Sequence, residues 1–264
     1  MKTERAISLI LSLVLLLSLF TSCSNDPRKL AERAEVRNGE IPYVVEIDLD
    51  YSCNDSAVKG VFEELERNEI TIYVDGDDAI AKSEIMIDYD DVSSRFTETY
   101  TVFGGVVYDE MSYSISGSPK KIRNKAPINT DQTKALLGEV AIIGDISLDD
   151  FSDVKIERVD GEKLIVCRDV SVDRRIALER AVLSQLESSA DMVKATEVVM
   201  TVEIDGGFYD TVAVECTFEI DLYGTVYTVG MRVELEFDYD EYFVIHAPAD
   251  ADEYNSVEIE KIIG

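Results

Sequence analysis

Apolar and polar positions alternate with a period of two over much of this chain, the spacing of strands that bury one face and wet the other. The last third shows it most cleanly. Val198, Met200, Val202 and Ile204 interleave with Glu197, Thr201 and Glu203, and Asp205-Gly206-Gly207 follows as a turn. Val212, Val214, Cys216, Phe218 and Ile220 then interleave with Thr211, Glu215, Thr217 and Glu219. After residues 221–224, Tyr227, Val229, Met231, Val233, Leu235 and Phe237 interleave with Thr228, Arg232, Glu234, Glu236 and Asp238. These three segments predict an antiparallel meander of strands about 8–14 residues long, against a usual 5 or 6.

Earlier segments follow the same rule. Tyr43, Val45, Ile47, Leu49, Tyr51 and Cys53 mark a strand, and Ser56 to Asn68 reads as a short helix or an ordered excursion. Ile70–Val74 and Ala79–Tyr89 flank Asp75-Gly76, a hairpin signal, and Phe96–Phe103 and Val106–Ile115 flank Gly104-Gly105. Val154–Val159 and Lys163–Arg168 form a further pair around Asp160-Gly161, after a turn at Asp150 to Asp153. Helical spacing is confined to a short capped stretch from Thr130 to Leu137 and a long one from Val172 to Ala190. In the long one Ile176, Leu183, Leu186 and Ala190 fall on one side, widened by Leu178 and Val182. Tyr242 to His246 reads as a closing segment. A long sheet with one apolar face must be covered, and few helices are available for that. The expected fold is therefore α+β, mainly β: a strongly curved antiparallel sheet, a half-barrel of about 10–11 strands, wrapping a few helices in a single domain over 41–264.

The amino terminus has a different pattern. A charged start (Met1 to Arg5) leads into an apolar run from Ala6 to Phe20, too short for a comfortable span, and then Thr21, Ser22 and Cys23. This order predicts a secretory signal peptide over 1–22. The cysteine after small residues looks like the lipobox of a bacterial lipoprotein, with Phe20 where the pattern usually has Leu. That resemblance implies cleavage before Cys23 and lipidation of its sulfur. Residues 23–40 are then expected as the lipidated N-terminus and a polar tether with a short helix from Pro27 to Val36. The expected location is the extracytoplasmic face of the cell membrane, held by a diacylglyceryl anchor.

Charge narrows the partners. The chain carries 54 acidic and 25 basic residues, a net charge of −29, which disfavours nucleic acid and docking on an anionic leaflet. If Cys23 is lipidated, Cys53, Cys167 and Cys216 remain, and three thiols cannot all pair within one molecule. Buried free thiols are expected, with a Cys53–Cys216 or other single bridge as the alternative.

No reaction is announced. The single histidine, His246, has no nucleophile elbow to serve, and Ser56–Lys59 and Ser118–Lys121 match Ser-x-x-Lys without its partner motifs. The acid clusters at 75–78, 88–91 and 238–241 lack EF-hand spacing and read as solvated turns, and one histidine with scattered cysteines does not make a zinc set. No catalytic residue, metal or cofactor is expected.

The lipobox at Cys23, the Gly-Gly-Phe-Tyr-Asp turn at 206–210, the long meander and the ending from Val244 to Tyr254 together resemble the LolA/LppX-type lipoprotein superfamily. The resemblance covers most of residues 41–255. It implies a half-barrel sheet with helices over its concave side, and characterised members shelter acyl chains between the two. The expected function is a non-catalytic, membrane-anchored protein that binds a lipid or acyl chain. Ile176, Leu183, Leu186, Val229, Met231, Val233, Leu235 and Phe237 would line the site. The alternative is an interaction module for another envelope protein, with a packed core and an acidic outer face.

Overall fold

Two meanders meet edge to edge. The computed structural model describes residues 26–55, 68–89, 92–115, 118–141, 146–159, 162–186, 192–222 and 224–263. The first meander runs β1 (Tyr43–Cys53), β2 (Asn68–Asp75), β3 (Asp78–Tyr89), β4 (Val92–Phe103), β5 (Val106–Ile115) and β6 (Ser118–Pro127). The second runs β7 (Phe151–Val159), β8 (Glu162–Val170), β9 (Met192–Asp205), β10 (Phe208–Leu222) and β11 (Thr225–Asp238). Within each, strands adjacent in sequence pair antiparallel, and β1 pairs with β11 to make one sheet. A two-residue strand, β12 (Asn255–Ser256), adds to β6 in parallel and brings the sheet to twelve strands, open rather than closed into a barrel. The expected class, α+β and mainly β with one curved antiparallel sheet, is the class found.

The register follows from the alternation. Ile47 faces Leu235 and Leu49 faces Val233 on the concave side, while Glu46 faces Glu236 and Asp48 faces Glu234 on the outer side. A slip by one residue would exchange these two sets, so the apolar face fixes the pairing. The concave residues of β1 and β8–β11 form the main core with Val214, Phe218, Met231 and Val233, and side chains buried this fully contribute about 1.5–3 kcal/mol each.

Among the described residues three helices lie on the sheet: α1 (Pro27–Asn38), α2 (Thr130–Val140) and α3 (Val172–Leu186). At the start of α2, Asn129 accepts from the Gln132 backbone N–H while the Gln132 side chain accepts from the Asn129 N–H, a reciprocal cap one residue ahead of the expected one. The helix covers a second core cluster that holds Val102, Val107, Ala126 and Leu136. Helix α3 lies along β9, where the Glu179 carboxylate accepts the Ala195 N–H at 2.9 Å.

Three expectations need correction. The folded part begins at Pro27, not Ile41: the segment read as a tether carries α1, whose Ala31 and Ala34 are buried. Strand β6 has no apolar alternation, so the pattern missed it, and β12 is too short to be seen. The turn expected at 150–153 sits earlier, as a 3₁₀ turn over Leu148–Asp150, and β7 starts at Phe151. The closing segment 242–246 carries no regular secondary structure. It starts the chain's return across the outer face, where Phe243 packs edge-on against Tyr73 of β2 and Tyr254 against Tyr108 of β5. Arg123 of β6 pins that return by pairing with Glu110, Asp250 and Glu253 at 2.7–2.8 Å. Beyond β12, Ile262 tucks into the second core cluster. The helix expected within 56–68 falls on 56–67, outside the described residues, as does Ala190.

Candidate functional site: a divided cavity beneath the first helix

Helix α1 is short and polar, and a twelve-residue helix is marginal alone in water. Its position is therefore set by what it touches. Pro27 opens it, and Asp26 caps it by accepting the Arg28 N–H. Ala31, Ala34 and Asn38, at positions i, i+3 and i+7, form the buried stripe, and the small alanines let the helix approach closely. Its first turn is held by the Arg28 guanidinium, which donates to the Leu148 and Phe151 carbonyls and pairs with Asp149 at 2.7 Å. Its last turn is held at the β9–β10 turn. Arg37 donates to the Gly206 carbonyl and lies over the Phe208 ring, and the space it occupies is where a Cβ on Gly207 would stand. The Asn38 side chain accepts the Tyr209 N–H at 3.3 Å, and the Tyr209 hydroxyl donates to the Ala31 carbonyl at 3.1 Å.

Held in this way, α1 does not close onto the sheet. One cavity of about 540 Å³ lies between it, the 146–149 loop and β9–β11, walled by Ala31, Ile146, Met200, Val202, Val212 and Leu235. A second, of about 360 Å³, lies between the end of α1 and α2, over Tyr43, Val74, Ala79 and Leu137. The two adjoin, because Glu35, Tyr209 and Phe237 line both. Each falls within the range of small-molecule sites, and their walls are mainly apolar. An aromatic cluster shapes the partition: Phe237 sits 5.8 Å from both Tyr43 and Tyr209, and Tyr239 donates its hydroxyl to the Tyr209 carbonyl. Burial, with the Glu35 charge adding to it, raises the Tyr43 phenol and pushes that of Tyr209 up to about 12, so both stay neutral.

The residues expected to line a site divide between cavity and core. Leu235 and Phe237 are at the cavity. Val229, Met231 and Val233, further along the same face of β11, are buried in the main core. On α3, Leu183 packs against that core beside buried Leu178, whereas Ile176 is 38% exposed and lines neither cavity. The side chain of Leu186 and the whole of Cys23 lie outside the described residues. Among the described residues, these two cavities lie under α1. Met200, Val202, Tyr209 and Val212 were missed as lining, although the alternation had already put Met200, Val202 and Val212 on the apolar face.

The remaining candidates are scattered. His246 is exposed on the returning segment, and Lys121 pairs with Glu110. At the β2–β3 turn Asp78 accepts the Gly104 N–H and Asp77 the Thr130 hydroxyl. Among the described residues no three His, Cys, Asp or Glu side chains are grouped to hold a metal, and no helix is long and apolar enough to cross a membrane. Cys53, Cys167 and Cys216 are free. A Cys53–Cys216 bridge is ruled out by topology: β11 lies between β1 and β10, which separates the two by two strand spacings, about 9.5 Å, beyond the reach of a disulfide. No protein-family model, curated protein or solved structure matches this chain.

Proposed function

We propose that this protein is an extracytoplasmic lipoprotein of LolA/LppX type, anchored through Cys23, that shelters a hydrophobic ligand such as an acyl chain beneath α1 without performing chemistry. The observation that carries the reading is the pair of adjoining apolar cavities between α1 and the concave face. Space on this scale, opening at the edge of α1 and lined by Met200, Val212 and Leu235, is of the size and character that small apolar ligands occupy. Membrane attachment through acyl chains suits a chain too acidic for electrostatic docking.

The test uses the exported chain with Cys23 replaced by Ser. Native mass spectrometry would show a co-purifying mass that solvent extraction releases as lipid, and an uncharged naphthylamine dye would bind with a rise in fluorescence. Val212→Trp fills the larger cavity and weakens dye binding about tenfold or more, whereas Met231→Leu, in the closed core, leaves it unchanged. A clean apo mass with no dye uptake would instead favour an interaction module that presents its acidic outer face, with Glu46, Asp48, Glu234 and Glu236, to another envelope protein.

A further inference from the structure

The charged groups around the cavity are not balanced. On the smaller chamber stand Glu35, Asp77 and Asp78 against Lys134; on the larger, Glu32, Glu35 and Asp149 against Arg28. Arg28 is already committed, with Nη1 shared between the Leu148 carbonyl and Asp149 and Nη2 donating to the Phe151 carbonyl. Lys134 is exposed on α2, at the smaller chamber only. The phenols add no positive charge: the Tyr209 hydroxyl is spent on the Ala31 carbonyl, that of Tyr239 on the Tyr209 carbonyl, and Tyr43 stays neutral. Among the described residues, Glu35 is the one charged side chain that borders both chambers. Its field reaches inside, since it helps raise the phenols of Tyr43 and Tyr209 after burial itself. An anionic head at this junction would meet a carboxylate and, among the described residues that line the chambers, no cation besides Lys134 at the smaller chamber and the committed Arg28, in a chain whose net charge of −29 already repels it.

We infer that the cavity beneath α1 selects amphiphiles whose apolar tail carries a cationic head, an alkylammonium rather than a carboxylate, with Glu35 receiving the ammonium. The inference rests on the reading of the cavity as a ligand site and adds the class of ligand. The tail lies against Met200, Val202, Val212, Leu235 and Phe237. The head sits at the junction, where its N–H groups donate to the Glu35 carboxylate.

The experiment is displacement of the uncharged dye by three amphiphiles of equal chain length, dodecylamine, dodecanol and dodecanoate, each kept below its micelle concentration at neutral pH and low salt. Dodecylamine is expected to bind about tenfold more tightly than dodecanoate, with dodecanol between them. Glu35→Gln brings amine and carboxylate together, and Glu35→Lys reverses their order, while dodecanol stays where it was. Glu35 is exposed, so neither substitution disturbs the core. Dodecanoate binding as tightly as dodecylamine, or a preference that survives Glu35→Gln, overturns the assignment of the head while leaving the cavity as a site. Failure of the dye and of all three amphiphiles to bind overturns the cavity reading itself, and this inference with it.

Discussion

Asn38 is the residue on which the seat of α1 depends most. It is 5% exposed, and its side-chain oxygen accepts the Tyr209 N–H at 3.3 Å while its amide reaches the Tyr239 hydroxyl. Asn38→Ala removes both bonds and leaves the Tyr209 N–H facing a methyl group. A bond of this kind nets about 1 kcal/mol, and a stranded donor adds to the cost, so the expected loss is about 2–3 kcal/mol. Tyr209→Phe deletes only the bond to the Ala31 carbonyl and should cost about 1 kcal/mol. The assay is hydrogen exchange of the amides in 27–38, followed by mass spectrometry. Opening of the helix should become about 30- to 150-fold more frequent in Asn38→Ala and about fivefold in Tyr209→Phe. Arg33→Ala, on the exposed side of the same helix, should change nothing. Because α1 roofs the larger cavity, faster opening should also speed dye entry. The reasoning fails if α1 exchanges in Asn38→Ala as slowly as in the parent, or if Arg33→Ala loosens it equally.

Two further predictions concern groups away from the cavity. On the concave face of β5, Asp109 is buried, with Oδ2 bonded to Asn124 and Oδ1 unpartnered, and Glu98 on β4 adds a second carboxylate. Burial raises both above the usual carboxylate range, with the Asp109 charge adding to the rise at Glu98. The folded state thus holds protons that the unfolded chain has released, so these two groups cost stability as pH climbs above about 4. Asp109→Asn should therefore gain about 1 kcal/mol at neutral pH and flatten that part of the pH profile; an unchanged urea midpoint at pH 7 refutes it. The second prediction concerns the thiols: burial pushes those of Cys167 and Cys216 up to about 12, while Cys53 is half-buried. In a Cys23→Ser background a thiol reagent at pH 8 should label Cys53 promptly and the other two only in denaturant; prompt labelling of all three in the folded protein counts against the packing described.

Much of this was legible from alternation alone. In β1 and β9–β11 the apolar period fixed existence, facing and hairpin order, because a side chain on the wrong face of these strands would be driven out of the core. Strand β6 was illegible for the opposite reason. Its residues Lys120, Lys121, Arg123 and Lys125 leave little apolar alternation, and it is held by backbone pairing with β5 and by ion pairs on its outer face. Helix α1 was read as a tether because its composition is polar. Its docking rests on two alanines, on Asn38 and on arginine bonds to carbonyls distant in sequence, none of which has a periodic signature. The cavity lining was hidden for the same reason: Met231 and Leu235 look alike in the pattern, and which of them borders a cavity depends on where a helix stops short of the sheet.

The seam between the two meanders governs how this chain reaches its fold. Strand β1 comes near the beginning of the folded part and can pair on that side only with β11, so nearly the whole chain must be available before the sheet is continuous. When the two edges meet, Glu46 approaches Glu236 and Asp48 approaches Glu234 across about 5 Å, well inside a screening length of about 8 Å at physiological salt. Closure is thus a late encounter between edges of mostly like charge, relieved where Arg232 faces Asp50, and drawn together by the apolar residues behind them. Ions in the medium act on that step as a catalyst would, lowering an electrostatic barrier without appearing in the product. Refolding should quicken with added salt over a range in which the finished core, being apolar, has little to gain.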